Sequence, residues 1–586
     1  MYILGISCYY HDASAALLKD GKIVAAAEEE RFTRKKHDTS FPINAVKYCL
    51  KSQKIAIDDV EYIGFYEKPF LKFERLLSQY IDTFPWSYKV FLSSMPSWIN
   101  EKLRVVSKIR KELKYKGDVL FVDHHMAHAA SSFLPSPFEK AAILTADGVG
   151  EWTTTAYGLG EGNEITLMKE IKFPHSIGLL YSTITAYLGF SVNNSEYKVM
   201  GLASYGDMNP ETNPFYKKMK KVIDIKYDGS FRLDLSYFRY VYTDRMPSDK
   251  LCRLLGGPVR KPKDTLTQKH KDIAAALQII TEEALTKILN HLHKETKCDV
   301  LVMAGGVALN SVYNGRILRN TPFKKIWIQP AAGDGGTSLG VACYIYNTLL
   351  GKKRGYVQEN AYLGPEFSRQ EIKKFLDENN IKYSEFKDER EIIEKTAKMI
   401  FENKVVGWFQ GRMEWGPRAL GARSILANPC NPDAKELLNT KVKHREIFRP
   451  FAPVVCEYDA LEYFDCDRPV PGPTDFMLMV YPVFRKWHKK LPSVTHVDGS
   501  GRLQTIRRKQ NPLYYDVIKE FGKLSGIPIL INTSFNIRGE PIVCTPYDAY
   551  RCMTGTGIDC LVIDRFLVKR EDNPQDFWDS EKYAKD

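Results

Sequence analysis

Three histidines stand close together in the run His124-His125-Met126-Ala127-His128. On a helix, residues four apart share a face, so His124 and His128 can point at one metal ion. His125 then faces elsewhere, in a supporting or structural role. A third and a fourth ligand must come from distant parts of the chain, and Asp147 and Asp334 are the best candidates. Each follows a strand-like stretch and stands beside glycine, where an unobstructed carboxylate can reach a bound ion. Mixed histidine–carboxylate ligation suits iron, zinc or manganese.

Two further kinds of motif point to anionic ligands. Glycine-bearing turns recur at Gly5 to Ala15, at Asp147 to Thr155 with Gly148, and at Ala304 to Asn310 with the pair Gly305-Gly306. Glycine lets backbone N–H groups approach a phosphate closely, so three such turns suit a nucleotide in a cleft. No GxxxxGK[ST] loop is present, which excludes a P-loop enzyme. In the second half, Arg412, Arg418 and Arg423 lie among small residues that leave room for an anion. Lys443, Arg445 and Arg449 follow within seven residues of one another. Arginine forks grip phosphate in bidentate fashion and lysine adds a compact charge.

The elements that must position these groups read as α/β. Apolar strands are expected at Tyr2 to Ser7, at Lys22 to Glu28 after an Asp20-Gly21 turn, and at Asp118 to Val122, Lys140 to Ala146, Asp299 to Met303 and Lys325 to Gln329. Acidic or glycine-rich turns follow strands three times, which suits a cleft at the strand ends. The polar stretch Gly351 to Gly355 reads as a linker, dividing a domain over 1–355 from one over 356–586. The second domain opens with helical patterns and contains the short strand Ile527 to Ile531, which runs straight into Asn532-Thr533-Ser534.

At 586 residues the chain is too long for a single core. Eleven cysteines without CxxC pairs argue against a disulfide framework and a thiolate zinc site. The net charge of +13 suits polyphosphate ligands as well as it suits nucleic acid. No apolar run approaches membrane-spanning length, and the first residues lack a signal-peptide pattern, so a cytoplasmic protein is expected, with no membrane partner.

The runs HHMAHAASSF, ADGVGEW, AGGVALN and AAGDGGTSLG resemble the transferase domain of NodU/CmcH-type (TobZ-like) O-carbamoyltransferases. That domain is TsaD-like and of the actin–hexokinase-like superfamily. The opening GISCYYHDASAALLKDGKIVAAAEEERFTRKKHD and the block NNSEYKVMGLASYG fit the same family. The second half resembles a YrdC-like α/β domain: Lys443-His444-Arg445 and Ser534-Phe535-Asn536 match the KxR and SxN signatures. The flanking GRMEWGPRALGARSILANP and INTSFNIRGEPIV match NodU-type enzymes.

The resemblance implies Fe(2+) on His124, His128, Asp147 and Asp334. It implies carbamoyl-adenylate along Gly148, Gly305, Gly306 and Asn310, with Lys36 near its charged centre. His11 matches the family's general base for the acceptor hydroxyl, a task open to an imidazole of near-neutral pKa. Asp12 beside it is expected among the residues that bind the adenylate, the lesser alternative being a core histidine satisfied by Asp12. In the second domain, Arg418, Lys443, Arg449 and Arg502 would bind carbamoyl phosphate and the phosphates of ATP with Mg(2+). Arg445, Asn532, Ser534 and Asn536 complete that nucleotide site. The expected partners are carbamoyl phosphate and a small-molecule hydroxyl acceptor, not nucleic acid, and a homodimer is compatible with the chain. A tRNA-modifying threonylcarbamoyl enzyme is the nearest rival reading, and it would show tRNA-dependent turnover. A sugar-kinase-like or regulatory nucleotide-binding protein is another, but it leaves the arginine blocks unexplained.

Overall fold

β1 (Tyr2–Ser7), β2 (Ser14–Lys19) and β3 (Lys22–Glu28) pair as an antiparallel meander, the last two joined by Asp20-Gly21. β4 (Val60–Phe65) and β5 (Asp118–Phe121) join the free edge of β1 in parallel, giving the order β3-β2-β1-β4-β5. The coordinates come from a computed structural model, and the structure describes residues 1–446, 448–466 and 470–573.

A second sheet repeats this plan. β6 (Lys140–Ala146), β7 (Thr153–Glu161) and β8 (Glu164–Lys172) form another meander. After a small hairpin of β9 (Ile223–Ile225) and β10 (Phe231–Leu233), β11 (Val300–Ala304) and β12 (Lys325–Ile328) add in parallel on β6. The order is β12-β11-β6-β7-β8. The parallel strand β11 reads VLVMA and is buried nearly throughout, as a strand covered on both faces must be. This duplicated mixed sheet fits the expected actin–hexokinase-like class.

The wholly buried helix Thr337–Cys343 packs on β1 and on the helix His124–Phe133. Its small residues permit that closeness: a Cβ on Gly340 would stand 1.9 Å from the carbonyl oxygen of Ala127. The contact fixes Asp334, three residues before the helix, relative to the histidines.

The other unit is also α/β. Its strands among the described residues are β13 (Ser384–Glu385), β14 (Val406–Phe409), β15 (Arg423–Ala427), β16 (Ala452–Cys456), β17 (Met479–Pro482), β18 (Ser500–Ile506), β19 (Ile529–Ser534), β20 (Cys560–Ile563) and β21 (Phe566–Lys569). They form one sheet in the order β13-β21-β20-β14-β15-β19-β16-β18-β17. Helices Glu389–Phe401 and Pro512–Ser525 supply Ile392, Ile400, Val517 and Phe521 to a core with Trp408 and Leu530.

The two compact units are Met1–Glu29 with Thr39–Gln358, and Glu30–Asp38 with Glu359–Asp586. Residues 30–38, read from sequence as part of the first domain, therefore belong with the second unit. The Arg34 guanidinium donates to the carbonyls of Ile542 (2.7 Å) and Pro541 (2.8 Å), and Arg31 donates to Gly416 O at 2.9 Å. Phe32 packs against Met413, Ala419, Ile542 and Cys544. All eleven cysteines are free, and no helix among the described residues is long and apolar enough to cross a membrane.

Candidate functional site

The helix His124–Phe133 forms as its spacing predicts and turns His124 and His128 to one side, where Nε2 of each lies 3.1 Å from the other. Asp147, at the end of β6, brings Oδ2 to 3.1 Å from His124 and 3.3 Å from His128. Asp334, in the turn after β12, brings Oδ1 to 3.7 and 3.3 Å from the same nitrogens. All four side chains are buried, and one ligand atom from each lies within 4.8 Å of the rest. Oδ2 of Asp334 is buried and accepts no hydrogen bond among the described residues. Two imidazoles and two carboxylates converging in this way fit a divalent ion that takes nitrogen and oxygen ligands.

The electrostatics agree. Burial holds His124 well below the ordinary histidine range. Burial would lower His128 too, but hydrogen bonds to Asp147 and Asp334 outweigh it and push the group up to about 9. For Asp147, hydrogen bonds from both histidines overcome burial and hold the carboxyl well below its usual range. Burial and then the charge of Asp147 raise Asp334 to about 6. His125 points away, as expected, and its Nδ1 pairs with Thr145 Oγ1 at 2.7 Å.

The glycine turns surround this cluster. Gly305 has φ +93° and passes so close to β6 that a Cβ would stand 2.2 Å from Ala146 O, so only glycine fits. Gly306 N donates to Asp147 Oδ1 at 3.0 Å, which aims that carboxylate. Gly148 is open, its nearest neighbour at the Cβ position being Tyr10 Oη at 3.9 Å. His11 lies near enough to Asp334 for its charge to act on that carboxyl, and Asp12 lies beside Gly335. Asn310 is already engaged. It accepts from Tyr313 N as a helix cap and exchanges two hydrogen bonds with Gln278 at 3.0 and 3.2 Å. Its amide therefore shapes the turn.

In the second unit, Lys443 is buried and reaches across to β19. Its Nζ donates to the carbonyls of Ser534 and Asn536, to Asn536 Oδ1 at 2.9 Å and to Ser534 Oγ at 3.3 Å. Burial, then the charge of Arg445, with Arg449 and Lys36 adding to it, holds Lys443 well below the usual lysine range. Lys36, expected beside an adenylate in the first domain, lies in the second unit, near enough to Lys443 for its charge to act on it. Arg445 Nε donates to Asn439 Oδ1 at 2.7 Å, and Arg449 faces Glu446 at 3.8 Å. Arg418 is half-buried in the loop between β14 and β15, and Arg502 lies on β18 opposite Val480.

Two residues read as anion ligands are absorbed by the scaffold. Arg423 is fully buried, donates to the carbonyls of Pro365, Gln410, Gly411 and Ala422, and lies 3.6 Å over the Phe409 ring. Asn532 sits inside the sheet and donates to Ala419 O and Gln504 Oε1.

Sequence reasoning missed two carboxylates. Glu151 accepts from His124 N at 3.0 Å and from Lys68 N at 2.8 Å, tying the start of the histidine helix in place. Glu414 Oε1 accepts from the amides of Leu420, Ala422 and Arg423, which folds the loop carrying Arg418. Their places inside ADGVGEW and GRMEWGPRALG were the available signal.

Residues 2–343 match the family model described as "Carbamoyltransferase N-terminus", and residues 397–570 match "Carbamoyltransferase C-terminus". The chain is 45% identical to an uncharacterized protein of Synechocystis sp., covering 98% of this chain and 97% of that one. It is 36% identical to nodulation protein NolNO of Sinorhizobium fredii, over 97% of this chain and 80% of that protein. Nodulation protein NolO of Bradyrhizobium diazoefficiens is also 36% identical, over 77% and 79%. Two matching domain models and relatives at 36% identity agree with the motif blocks: the chain belongs to the carbamoyltransferase family and is an enzyme of that kind.

Proposed function

We propose that the second unit makes carbamoyl-adenylate from carbamoyl phosphate and ATP, and that the first unit passes the carbamoyl group to a hydroxyl of a small-molecule acceptor. Carbamoyl phosphate first loses its phosphate to water and leaves carbamate. The carbamate oxygen then attacks the α-phosphorus of ATP, forming carbamoyl-adenylate and expelling pyrophosphate. The acceptor oxygen attacks the carbamoyl carbon, AMP leaves, and His11 takes the hydroxyl proton. Carbamate alone is a poor electrophile, and adenylation supplies its leaving group.

The observation that carries this reading is the convergence of Lys443 with Ser534 and Asn536, the KxR and SxN signatures of YrdC-like domains, beside Arg445, Arg449 and Lys36. Cations concentrated there suit ATP phosphates and carbamoyl phosphate, with Mg(2+) accompanying the nucleotide. In the first unit, His124, His128, Asp147 and Asp334 would hold Fe(2+) or a similar ion, which would supply a Lewis acid there. The chain's own groups hold the rest: Gly306 aims Asp147, and Glu151 fixes the helix that carries both histidines.

The test is a quenched reaction with isotopically labelled carbamoyl phosphate and ATP but no acceptor, read by mass spectrometry. The reading expects labelled carbamoyl-adenylate. Enzyme that carbamoylates an acceptor without ever forming that adduct would show direct transfer from carbamoyl phosphate instead.

A further inference from the structure

Two buried arginines of this chain spend their donors on the scaffold. Arg423 binds four carbonyls, and Arg260 donates to the carbonyls of Leu188, Lys261, Pro262 and Asp264. Arg75, on the helix Pro69–Asp82 of the first unit, does not. Only 5% of it is exposed, yet it makes a single long hydrogen bond, from Nη1 to Gly150 O at 3.3 Å. Nε is buried with no partner among the described residues, and Nη2 has none either. Phe173 covers one face of the guanidinium, its ring centre 5.0 Å away.

No carboxylate answers this charge directly. Lys72, three residues earlier on the same helix, is also buried but pairs with Glu67 at 2.6 Å. Glu151 is spent on the backbone amides of Lys68 and His124. Neither acid comes within ion-pair distance of Arg75, and burial holds the guanidinium below its usual range. A buried cation is costly unless it is paired and hydrogen-bonded. The Nε–Nη2 edge is the side of the fork that takes an oxyanion with two parallel hydrogen bonds.

The position of this edge ties it to the transfer site. Gly150 stands three residues after Asp147, so their Cα atoms are at most about 10 Å apart. Tyr10 is within reach of both groups. Burial raises its phenol, the charges of Asp334 and Asp147 add to that, and Arg75 opposes them. Tyr10 Oη lies 3.9 Å from the Cβ position of Gly148, and its ring is centred 4.5 Å from that of His11.

We propose that Arg75 binds an oxyanion, carboxylate or phosphate, carried by the acceptor whose hydroxyl is presented to His11. This rests on the reading that the first unit performs the transfer. Arg75 then selects hydroxyl compounds that bear an acidic group some distance from the reacting oxygen. The adenylate carries a phosphate too, and the test separates the two sources.

The test is titration calorimetry of the metal-loaded full chain with glycerate and with glycerol, a non-hydrolysable ATP analogue filling the second unit. Glycerate should bind at least about tenfold tighter than glycerol, Arg75→Gln should erase the difference, and Arg75→Lys should keep part of it. AMP should bind the parent and Arg75→Gln equally well. Glycerate bound no better than glycerol by the parent would overturn the proposal, and so would a preference that survives in Arg75→Gln. A loss confined to AMP would overturn it as well, assigning Arg75 to the adenylate. Carbamoyl-adenylate formation by the parent is measured on the same preparation. With the adduct present, a failed glycerate titration strikes this proposal alone; with the adduct absent, the underlying reading falls.

Discussion

His124 and His128 hold their Nε2 atoms 3.1 Å apart, a distance at which only one of the two nitrogens can point a proton at the other. Without an ion the buried quartet keeps that proton on His128, whose pKa stands at about 9. A divalent ion must displace it. Metal affinity should therefore rise with pH up to about 9, by about tenfold per unit for each proton released. Competition with a chelator at pH 6, 7 and 8 checks this, and His128→Ala should lose both the metal and the slope.

Gly340→Val should loosen the same site from a distance. A Cβ there would stand 1.9 Å from Ala127 O, so the helix Thr337–Cys343 must shift and Asp334 with it. Such overpacking costs about 3 kcal/mol. Thermal unfolding should fall and metal content should drop, whereas Gly355→Val, with nothing near its Cβ position, should change neither.

Arg423 and Lys443 should separate stability from chemistry. Arg423→Met takes a buried donor from four carbonyls; Pro365 O and Ala422 O still accept from Met413 N and Gln410 N, and the loss of about 3 kcal/mol falls on Gln410 and Gly411. Lys443→Met takes a buried donor from Ser534 and Asn536 but also removes a cation that burial and Arg445 destabilise, so the unfolding midpoint should fall less than in Arg423→Met while adenylation is abolished. Comparing denaturant midpoints with turnover tests the division.

Binding of an anion beside Lys443 should draw in protons. In the ligand-free chain, burial and Arg445 lower the lysine's pKa. An added phosphate stabilises the charged form, so the pKa rises and a proton is taken up on binding. Calorimetry of ATP binding in buffers of different ionisation enthalpy should report net proton uptake. Proton release would contradict it.

The clustering of His124, His128, Asp147 and Asp334 was legible because its signals are local: an i, i+4 histidine pair on a helix, and aspartates at strand ends beside glycine. Strands such as Tyr2–Ser7 and Lys140–Ala146 were legible for the same reason. The duplicated sheet was not, because strand order comes from pairings between distant residues, such as Leu301 with Ala142. Nor was the place of residues 30–38, since Arg34 binds backbone carbonyls, which carry no residue signature. Arg423 misled for a related reason. Its neighbours are small because they let a guanidinium in, not because they leave room for an anion.

The central claim is tested most directly by pyrophosphate release from ATP, with and without carbamoyl phosphate and with no acceptor present. The account predicts release that requires carbamoyl phosphate and disappears in Lys443→Ala. Carbamoylation of an acceptor by an active enzyme without pyrophosphate release would contradict it.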